Sequence, residues 1–290
     1  MYQLVDSMRP DFAVEKICDA LPVTKSGYYE WKKNPVSKCE ESDLTLLKSV
    51  TAIHTESRER FGSPRILNKL NEMGQFPNHK RVERIMRDND IRSKAAKKFK
   101  VTTNSNHDKN ISPNLLRRDF DPPAENHVWV SDITYIRTLE GWLYLAVVID
   151  LYSRKVVGWS MSKSMSRHLV IDSFNMAWVN RGEPEGLIYH SDRGSQYASN
   201  DFRNLLGKCC VSQSMSRAGD CWDNACSESF FASLKKEEVY MSPTYLTRKY
   251  AKDCIFEYIE LFYNDYRPHS FNGGVSPNRF EAITQAGDSA

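Results

Sequence analysis

Residues 142–150, WLYLAVVID, form a nearly continuous apolar run, and this run constrains the fold more than any other stretch. It follows a punctuating Gly141 and is too short and too uniformly apolar for a surface helix, so it predicts a central strand buried on both faces. The segment before it, HVWVSDITYI, alternates, with Val128, Val130, Asp132 and Thr134 on one face, and predicts a second strand. SRKVVGWSMS, after it, predicts a third. Beyond these, the pattern predicts a helix over 167–181, a strand in GLIYHSD and a helix over 200–206. A short strand in VSQSMS, a helix through Glu228 to about Glu238 and a longer helix over 246–266 complete the order. Three hairpin-linked strands followed by alternating helices and strands imply an α/β domain with a mixed five-stranded sheet and flanking helices.

The chain of 290 residues has room for this domain and an all-α N-terminal region before it. Residues 11–33 read as helix, turn and helix: Val14, Ile17 and Cys18 form an apolar stripe, Pro22 interrupts it, and Thr24 or Ser26 caps the second helix. SGYYEWKK then combines Tyr28, Tyr29 and Trp31 with Lys25, Lys32 and Lys33. Two readings fit: a helix-turn-helix presenting Lys25 and Tyr28 to a DNA groove, or a helical hairpin whose aromatics form its core. A helix over 42–57 comes next. In FGSPRILNKLNEMG, Ser63 is the expected N-cap, Pro64 the first helical position and Gly74 the stop. Asn78 opens another helix to Asn89.

From Lys80 to Lys100 there are nine Lys or Arg against three acids, including Lys80, Arg81 and Arg84. Such a run is either a solvated face or a set of phosphate contacts, and after a helical pair it favours DNA. The net charge of the whole chain is only +3, so any nucleic-acid surface is local. The expected divisions are a helix-turn-helix-like segment at 1–40, a second helical one at 41–92, a basic and polar linker at 93–123, and the catalytic domain at 124–290. No apolar run approaches eighteen residues and the start lacks a secretory pattern, so neither a membrane span nor export is expected. Seven scattered cysteines without a C-x-x-C pair predict reduced thiols and a cytoplasmic protein.

Three acids carry the chemistry of the reading. Asp132 sits mid-strand, where an unpaired charge is expensive. Asp192 ends an apolar strand and is followed by Arg193–Gly194, a loop signal; Glu228 lies on a helix with Lys235 seven residues on. Carboxylates delivered by two strands and a helix suit divalent metal, and two Mg²⁺ ions roughly 3.5–4 Å apart suit phosphodiester chemistry. Singly, each acid is as readily a cap or a solvated surface group. Asp150, in VIDLYSR, reads as structural.

The segments WVSDITYI, HSDRGSQY and SMSRAGDCWDNACSESFFASLKKE resemble those of bacterial insertion-sequence transposases. The subgroup is the second-frame, orfB-type DDE transposases of the insertion-sequence-three family, related to retroviral integrases. Thirty-five residues lie between Asp192 and Glu228, matching that family's spacing. YNDYRPHSFNGGVSPNRF resembles its closing signature, and RFGSPRILNKL, with Arg65, its N-terminal helix-turn-helix, so the likeness runs from about Ile17 to Phe280. Phe271 departs from the aliphatic residue more usual there.

The resemblance implies a ribonuclease-H-like core in which Asp132, Asp192 and Glu228 are catalytic and hold two Mg²⁺ or Mn²⁺ ions, with Lys235 contacting DNA near the cleaved end. The implied reaction is a 3′-end cut at the element's terminus followed by attack of that 3′-hydroxyl on target DNA. No covalent enzyme intermediate is implied, so Ser191, Ser195 and Tyr197 are not nucleophiles. Arg193, Asn224 and His190 are either DNA or supporting groups, or loop stabilisers. Implied partners are the element's terminal inverted repeats, target DNA, at least one further copy of the chain, and an upstream-frame fusion or partner protein, in a cytoplasmic, nucleoid-associated setting. The family is often made as a fusion with a frame bearing a leucine zipper, and no sustained heptad occurs here. Two other readings share parts of the pattern: a ribonuclease-H-fold nuclease without strand transfer, and a non-catalytic DNA-binding regulator.

Overall fold

The computed structural model describes residues 1–33, 38–94, 112–116, 121–216, 225–241 and 244–287. Six helices come first: α1 (Tyr2–Met8), α2 (Val14–Ala20), α3 (Lys25–Lys33), α4 (Lys38–Glu56), α5 (Ser63–Glu72) and α6 (His79–Asp88). The sheet domain follows as β1 (Val128–Thr138), β2 (Gly141–Asp150), β3 (Val156–Ser162), α7 (Arg167–Asn180), β4 (Ile188–Ser191), α8 (Asn200–Lys208), β5 (Ser212–Met215) and α9 (Ala225–Leu234). A π-helical turn, Lys235–Val239, prolongs α9; α10 (Arg248–Glu257) runs into a π-helical segment, Tyr258–Tyr266, and α11 (Pro277–Gly287) closes the chain.

The strand order is β3-β2-β1-β4-β5. β1 pairs antiparallel with β2, β2 antiparallel with β3, and β4 runs parallel to both β1 and β5. The mixed five-stranded sheet expected from the order of elements is present, with helices on both faces. β2 is buried from Leu143 to Asp150 apart from Tyr144, as its apolar run requires. Alternation divides its side chains: Leu145, Val147 and Ile149 join the core under α9 and α10, whereas Val148 faces the core formed by α7 and α8. Asp132 stands opposite Val147 in the β1–β2 register, which puts it on the α9 face.

Helix α7 lies unusually close to β3. A Cβ at Gly158 would stand 2.4 Å from the Ser173 carbonyl oxygen and 2.6 Å from the Ala177 nitrogen, both backbone atoms that cannot swing aside. Gly158→Ala is therefore expected to lower stability by about 1–3 kcal/mol, an overpacking cost measurable by urea unfolding.

The N-terminal region holds one element that the periodicity does not predict. Helix α1 completes a three-helix unit in which Val5, Ile17, Cys18 and Tyr28 are buried. Of the two readings of SGYYEWKK, the aromatic core holds for Tyr28, which is 0% exposed and donates from its hydroxyl to Asp6 at 2.5 Å. Helices α4–α6 instead share one core with the sheet domain: Phe61, between α4 and α5, stacks on Tyr266 with centroids 5.6 Å apart and tilts against Phe262. Helix α4 starts four residues before the expected point. The α5 N-cap position is Gly62 rather than Ser63, whose hydroxyl sits 3.3 Å from His79 Nε2. Gly74, at φ +77°, ends the α5 turn, and the Asn78 side chain caps α6 by accepting from the Lys80 N–H.

The helix expected through Glu238 is α-helical only to Leu234, and that expected over 246–266 changes to π geometry at Tyr258. Tyr258, Ile259, Phe262 and Tyr263 are all buried, and the wider turn keeps pairs four residues apart on one face. Among the described residues no helix is long and apolar enough to cross a membrane.

Candidate active site

The parallel pairing of β1 with β4 brings the acids together. The register ends at Ser131 opposite Ser191, so Asp132 and Asp192 leave the last paired position on adjacent strands. Each is held by the backbone beside it: Asp132 Oδ1 accepts from the Ile133 N–H at 2.7 Å, and Asp192 Oδ1 from the Gly194 N–H at 2.8 Å. A Cβ at Gly194 would come within 2.9 Å of Asp192 Oδ1, so a side chain there would push the carboxylate from its present position. Glu228 arrives from the first turn of α9, where Phe230, Phe231 and Leu234 anchor the helix in the core.

The electrostatics are unfavourable. Burial pushes the Asp132 carboxyl well above its ordinary value, and the charges of Asp192 and Glu228 push it further. The Ile133 hydrogen bond and the Lys235 ammonium oppose this and do not prevail. Glu228, although exposed on its outer side, is also raised by the partial burial of the site. Lys235 is lowered to about 8 by burial, with Asp132 pulling the other way. Its ammonium sits 5.5 Å from the Tyr135 ring centroid. Among the described residues no three acidic, histidine or cysteine side chains converge closely enough to hold a metal ion, and the charges of Asp192 and Glu228 act on Asp132 as repulsion.

Beneath the acids, Ser131 Oγ and Tyr197 OH lie 2.9 Å apart, and His190 Nδ1 is 2.8 Å from Ser214 Oγ. Arg193 donates from Nε to the Ser216 carbonyl at 2.7 Å, tying the Asp192 loop to the end of β5. Asn224 and most of the expected linker lie outside the described residues. Asp150 is buried at the far end of β2, accepting from the Asn126 and Tyr152 N–H groups at 2.8 and 2.9 Å, with Arg181 3.3 Å away. It does not join the other three acids.

The basic residues named from the sequence occupy mixed positions. Lys25 pairs with Glu15 at 2.9 Å on the surface, and Lys80 is exposed. Arg81 and Arg84 both engage Asp43, at 2.7 and 2.5 Å. Arg65 points inward, 2.9 Å from Glu237.

Sequence reasoning missed the network around Glu237. Arg267, from the RPHS segment, donates from Nε and Nη2 to both Glu237 oxygens at 2.8 and 2.9 Å, and the Tyr258 hydroxyl adds a bond of 3.0 Å. Arg60 donates to the Glu237 carbonyl at 2.7 Å, pairs with Glu238, and lies 4.3 Å from the Phe262 ring centroid. The π-helical turn that begins with Lys235 is thus clamped from α5, from the α4–α5 loop and from the C-terminal segment. Charged residues within a polar stretch, KKEEV, carried no sequence signal that they would be buried.

A mixed sheet of this order behind a helical N-terminal region defines an integrase-type catalytic core joined to a helix-turn-helix-like unit. Residues 122–221 and 228–284 each match the family described as Integrase core domain, and residues 41–99 match HTH-like domain. Over 282 residues the chain is 40% identical to the transposase InsF for insertion sequence IS3A of Escherichia coli strain K12, covering 97% of this chain and 98% of that protein. It is also 40% identical over 264 residues to an uncharacterized 31 kDa protein of insertion element IS600 from Shigella sonnei, covering 91% and 97% of the two chains. The chain belongs to the IS3 family of insertion-sequence transposases. Among solved structures it is similar to a chain of the simian T-cell lymphotropic virus intasome in complex with PP2A regulatory subunit B56 gamma, with a TM-score of 0.47 and 15% identity over 80% of this chain and 74% of that one. It is similar as well to the HTLV-2 integrase catalytic core domain in complex with magnesium, with a TM-score of 0.42 and 20% identity over 55% and 98%.

Proposed function

We propose that this transposase cuts the 3′ end of its element and joins that end to target DNA, with Asp132, Asp192 and Glu228 as the catalytic carboxylates. The observation that carries the reading is the position of Asp132 at the end of the β1–β4 pairing, a buried acid raised first by burial and then by the charges of Asp192 and Glu228, at a cost to the fold. An all-oxygen, negatively charged set of this kind fits hard divalent cations, Mg²⁺ or Mn²⁺, and the three acids would hold two of them. Held by these residues, such ions would supply activation of the attacking water or 3′-hydroxyl and charge neutralisation at the leaving oxygen.

The chain's own residues supply the rest. Asp132 and Asp192 are held in place by backbone N–H groups, and the anchored face of α9 sets Glu228. Lys235 offers a cation to the phosphate beside the cut. Arg193, Asn224, Lys25, Arg65, Lys80, Arg81 and Arg84 are proposed as further DNA groups, with Lys25, Arg65, Arg81 and Arg84 having to leave their present acid partners to serve. Tyr28 would act through the packing of its three-helix unit, since its ring is buried. Segments 1–40 and 41–92 are read as DNA-binding units, 93–123 as the linker and 124–290 as the catalytic domain. Joining two element ends needs at least two copies of the chain on DNA, in the cytoplasm, with or without an upstream-frame partner.

The test is a strand-transfer assay with oligonucleotides copied from the DNA flanking the gene, with and without Mg²⁺. Metal-dependent joining is expected. Hydrolysis without joining would replace the reading by that of a nuclease. Lys235 adds a pH signature. Its folded value, about 8, lies below the ordinary 10.5, so the ammonium is present below about 8 and lost as pH rises through it. Affinity of the metal-free protein for DNA ends is therefore expected to decline above pH 8, and Lys235→Arg to abolish the decline. A wild-type profile flat from pH 7 to 9.5 would remove Lys235 from the DNA contact.

A further inference from the structure

β1 continues past Asp132, and there its two faces differ. Thr134, Ile136 and Thr138 are buried, while Tyr135 and Arg137 are exposed. Tyr135 is 39% exposed and Trp142, on β2, is 46% exposed. Their ring centroids are 5.0 Å apart at 81°, an edge-to-face pair across the hairpin. Tyr144 stands opposite Tyr135 in the register and Arg137 opposite Trp142. The core under α7 and α8 covers this face only as far as Ile133, leaving the hairpin end open.

Cations surround the pair. Lys235 Nζ lies 5.5 Å from the Tyr135 ring, and Arg248 donates from Nε to the Trp142 carbonyl at 3.0 Å. The nearby acid, Glu140, is engaged in capping the Arg248 N–H at 2.8 Å. Tyr135 leaves the opposite face of β1 from Asp132, and Lys235, which feels the Asp132 charge and lies beside the Tyr135 ring, links the two beyond Ser131, where the β4 pairing ends. Along the strand the three residues span about 10 Å. That is roughly three nucleotide steps at the ~3.4 Å rise of a DNA strand. Two partly exposed aromatic rings flanked by cations, and linked to the acids through Lys235, match unpaired bases on a phosphate chain.

We propose that Tyr135 and Trp142 form a stacking shelf for unpaired bases at the DNA end, one to three nucleotides from the phosphate being cut or joined. This rests on the reading of the acids as the site that acts on a DNA end. The shelf recognises the π-faces of the bases, so it favours frayed over blunt ends with little regard to sequence.

The test uses the full chain and two duplexes, one blunt and one ending in two unpaired nucleotides with 2-aminopurine at the outer one. Wild type is expected to quench the unpaired 2-aminopurine and to bind the frayed end more tightly than the blunt one. Tyr135→Ala and Trp142→Ala are each expected to remove most of the quenching and to reduce the preference roughly tenfold. Tyr135→Phe and Trp142→Phe should keep both, which separates stacking from a loss of fold. Undiminished quenching in the alanine variants overturns the proposal. So does sedimentation showing that Trp142→Ala converts a dimer to a monomer while frayed-end preference persists, because the face would then be an interface between copies. A wild-type chain that joins DNA strands without quenching overturns the shelf and leaves the acids' assignment intact. Quenching by a chain that never joins strands upholds the shelf's affinity for unpaired bases and overturns the assignment of the acids.

Discussion

Asp132→Asn is expected to abolish metal-dependent strand transfer and, in the same protein without metal, to raise stability. The two effects together are the signature of a residue kept for chemistry against the interest of the fold. Activity should fall below about a thousandth of wild type, equivalent to roughly 4 kcal/mol of transition-state stabilisation. Asp192→Asn and Glu228→Gln should lose comparable activity while leaving DNA binding largely intact. The stability effect follows from the raised carboxyl of Asp132. Its folded value lies above the ordinary 3.8, so its ionisation in the folded chain costs stability as pH rises through that folded value, and costs nothing below 3.8. Asparagine keeps the oxygen that accepts from the Ile133 N–H and removes the charge. The melting temperature of the variant should therefore exceed that of wild type near pH 8, with the gap closing toward pH 4. Added Mg²⁺ should stabilise wild type and not the variant. Retained transfer by any one of the three variants would take that residue out of the site.

The second large effect is expected at Arg267. Replacing it by methionine leaves Glu237 buried with only Arg65 and the Tyr258 hydroxyl, and removing one partner of a buried pair costs about 3–5 kcal/mol. Burial alone would raise the Glu237 carboxyl, and the hydrogen bonds and charge of Arg267, with Arg65, outweigh it and hold the group below its ordinary 4.5. The stability it contributes is thus present above pH 4.5 and lost as pH falls through the lower folded value. Urea unfolding at pH 7 and pH 3.5 checks this: the difference between wild type and Arg267→Met should be large at the first and reduced at the second. A difference below about 1 kcal/mol at pH 7 would mean that solvent reaches Glu237 and the clamp is superficial. The clamp matters to function through its location. It fixes the turn that carries Lys235 and joins α5 of the helix-turn-helix-like unit to the helix bearing Glu228.

The sheet was legible because burial on two faces leaves a mark in composition. The run 142–150 has few polar residues to offer any other structure, and its neighbours alternate at the period of a strand. The acids were legible for the opposite reason: charge at strand ends, followed by loop residues, is conspicuous against apolar surroundings. Helix α1 was missed because its seven residues span barely two turns, too few for a 3.6-residue period to declare itself, and Val5 is its one buried residue; α11 carries no apolar run that marks it. The changes to π geometry were missed because 3.6-residue spacing is assumed in any helical reading, and tertiary packing selected a wider turn.

By itself, then, the order of residues determined the strand set, its mixed connectivity and the family resemblance, and singled out the three acids as candidates, since each is written in local pattern or in long matching segments. Only the tertiary structure decided that Asp132 and Asp192 follow the last rung of a parallel pair side by side and that the Asp192 charge raises Asp132, and that Tyr28 belongs to a core. It also decided that α4–α6 are bound into the sheet domain through Phe61 and the Glu237 clamp, and that Tyr135 and Trp142 stay partly exposed beside Lys235. The physical reason is the same in each case. Burial, exposure and charge coupling are properties of distances between segments far apart in the chain, and local sequence carries no record of those distances.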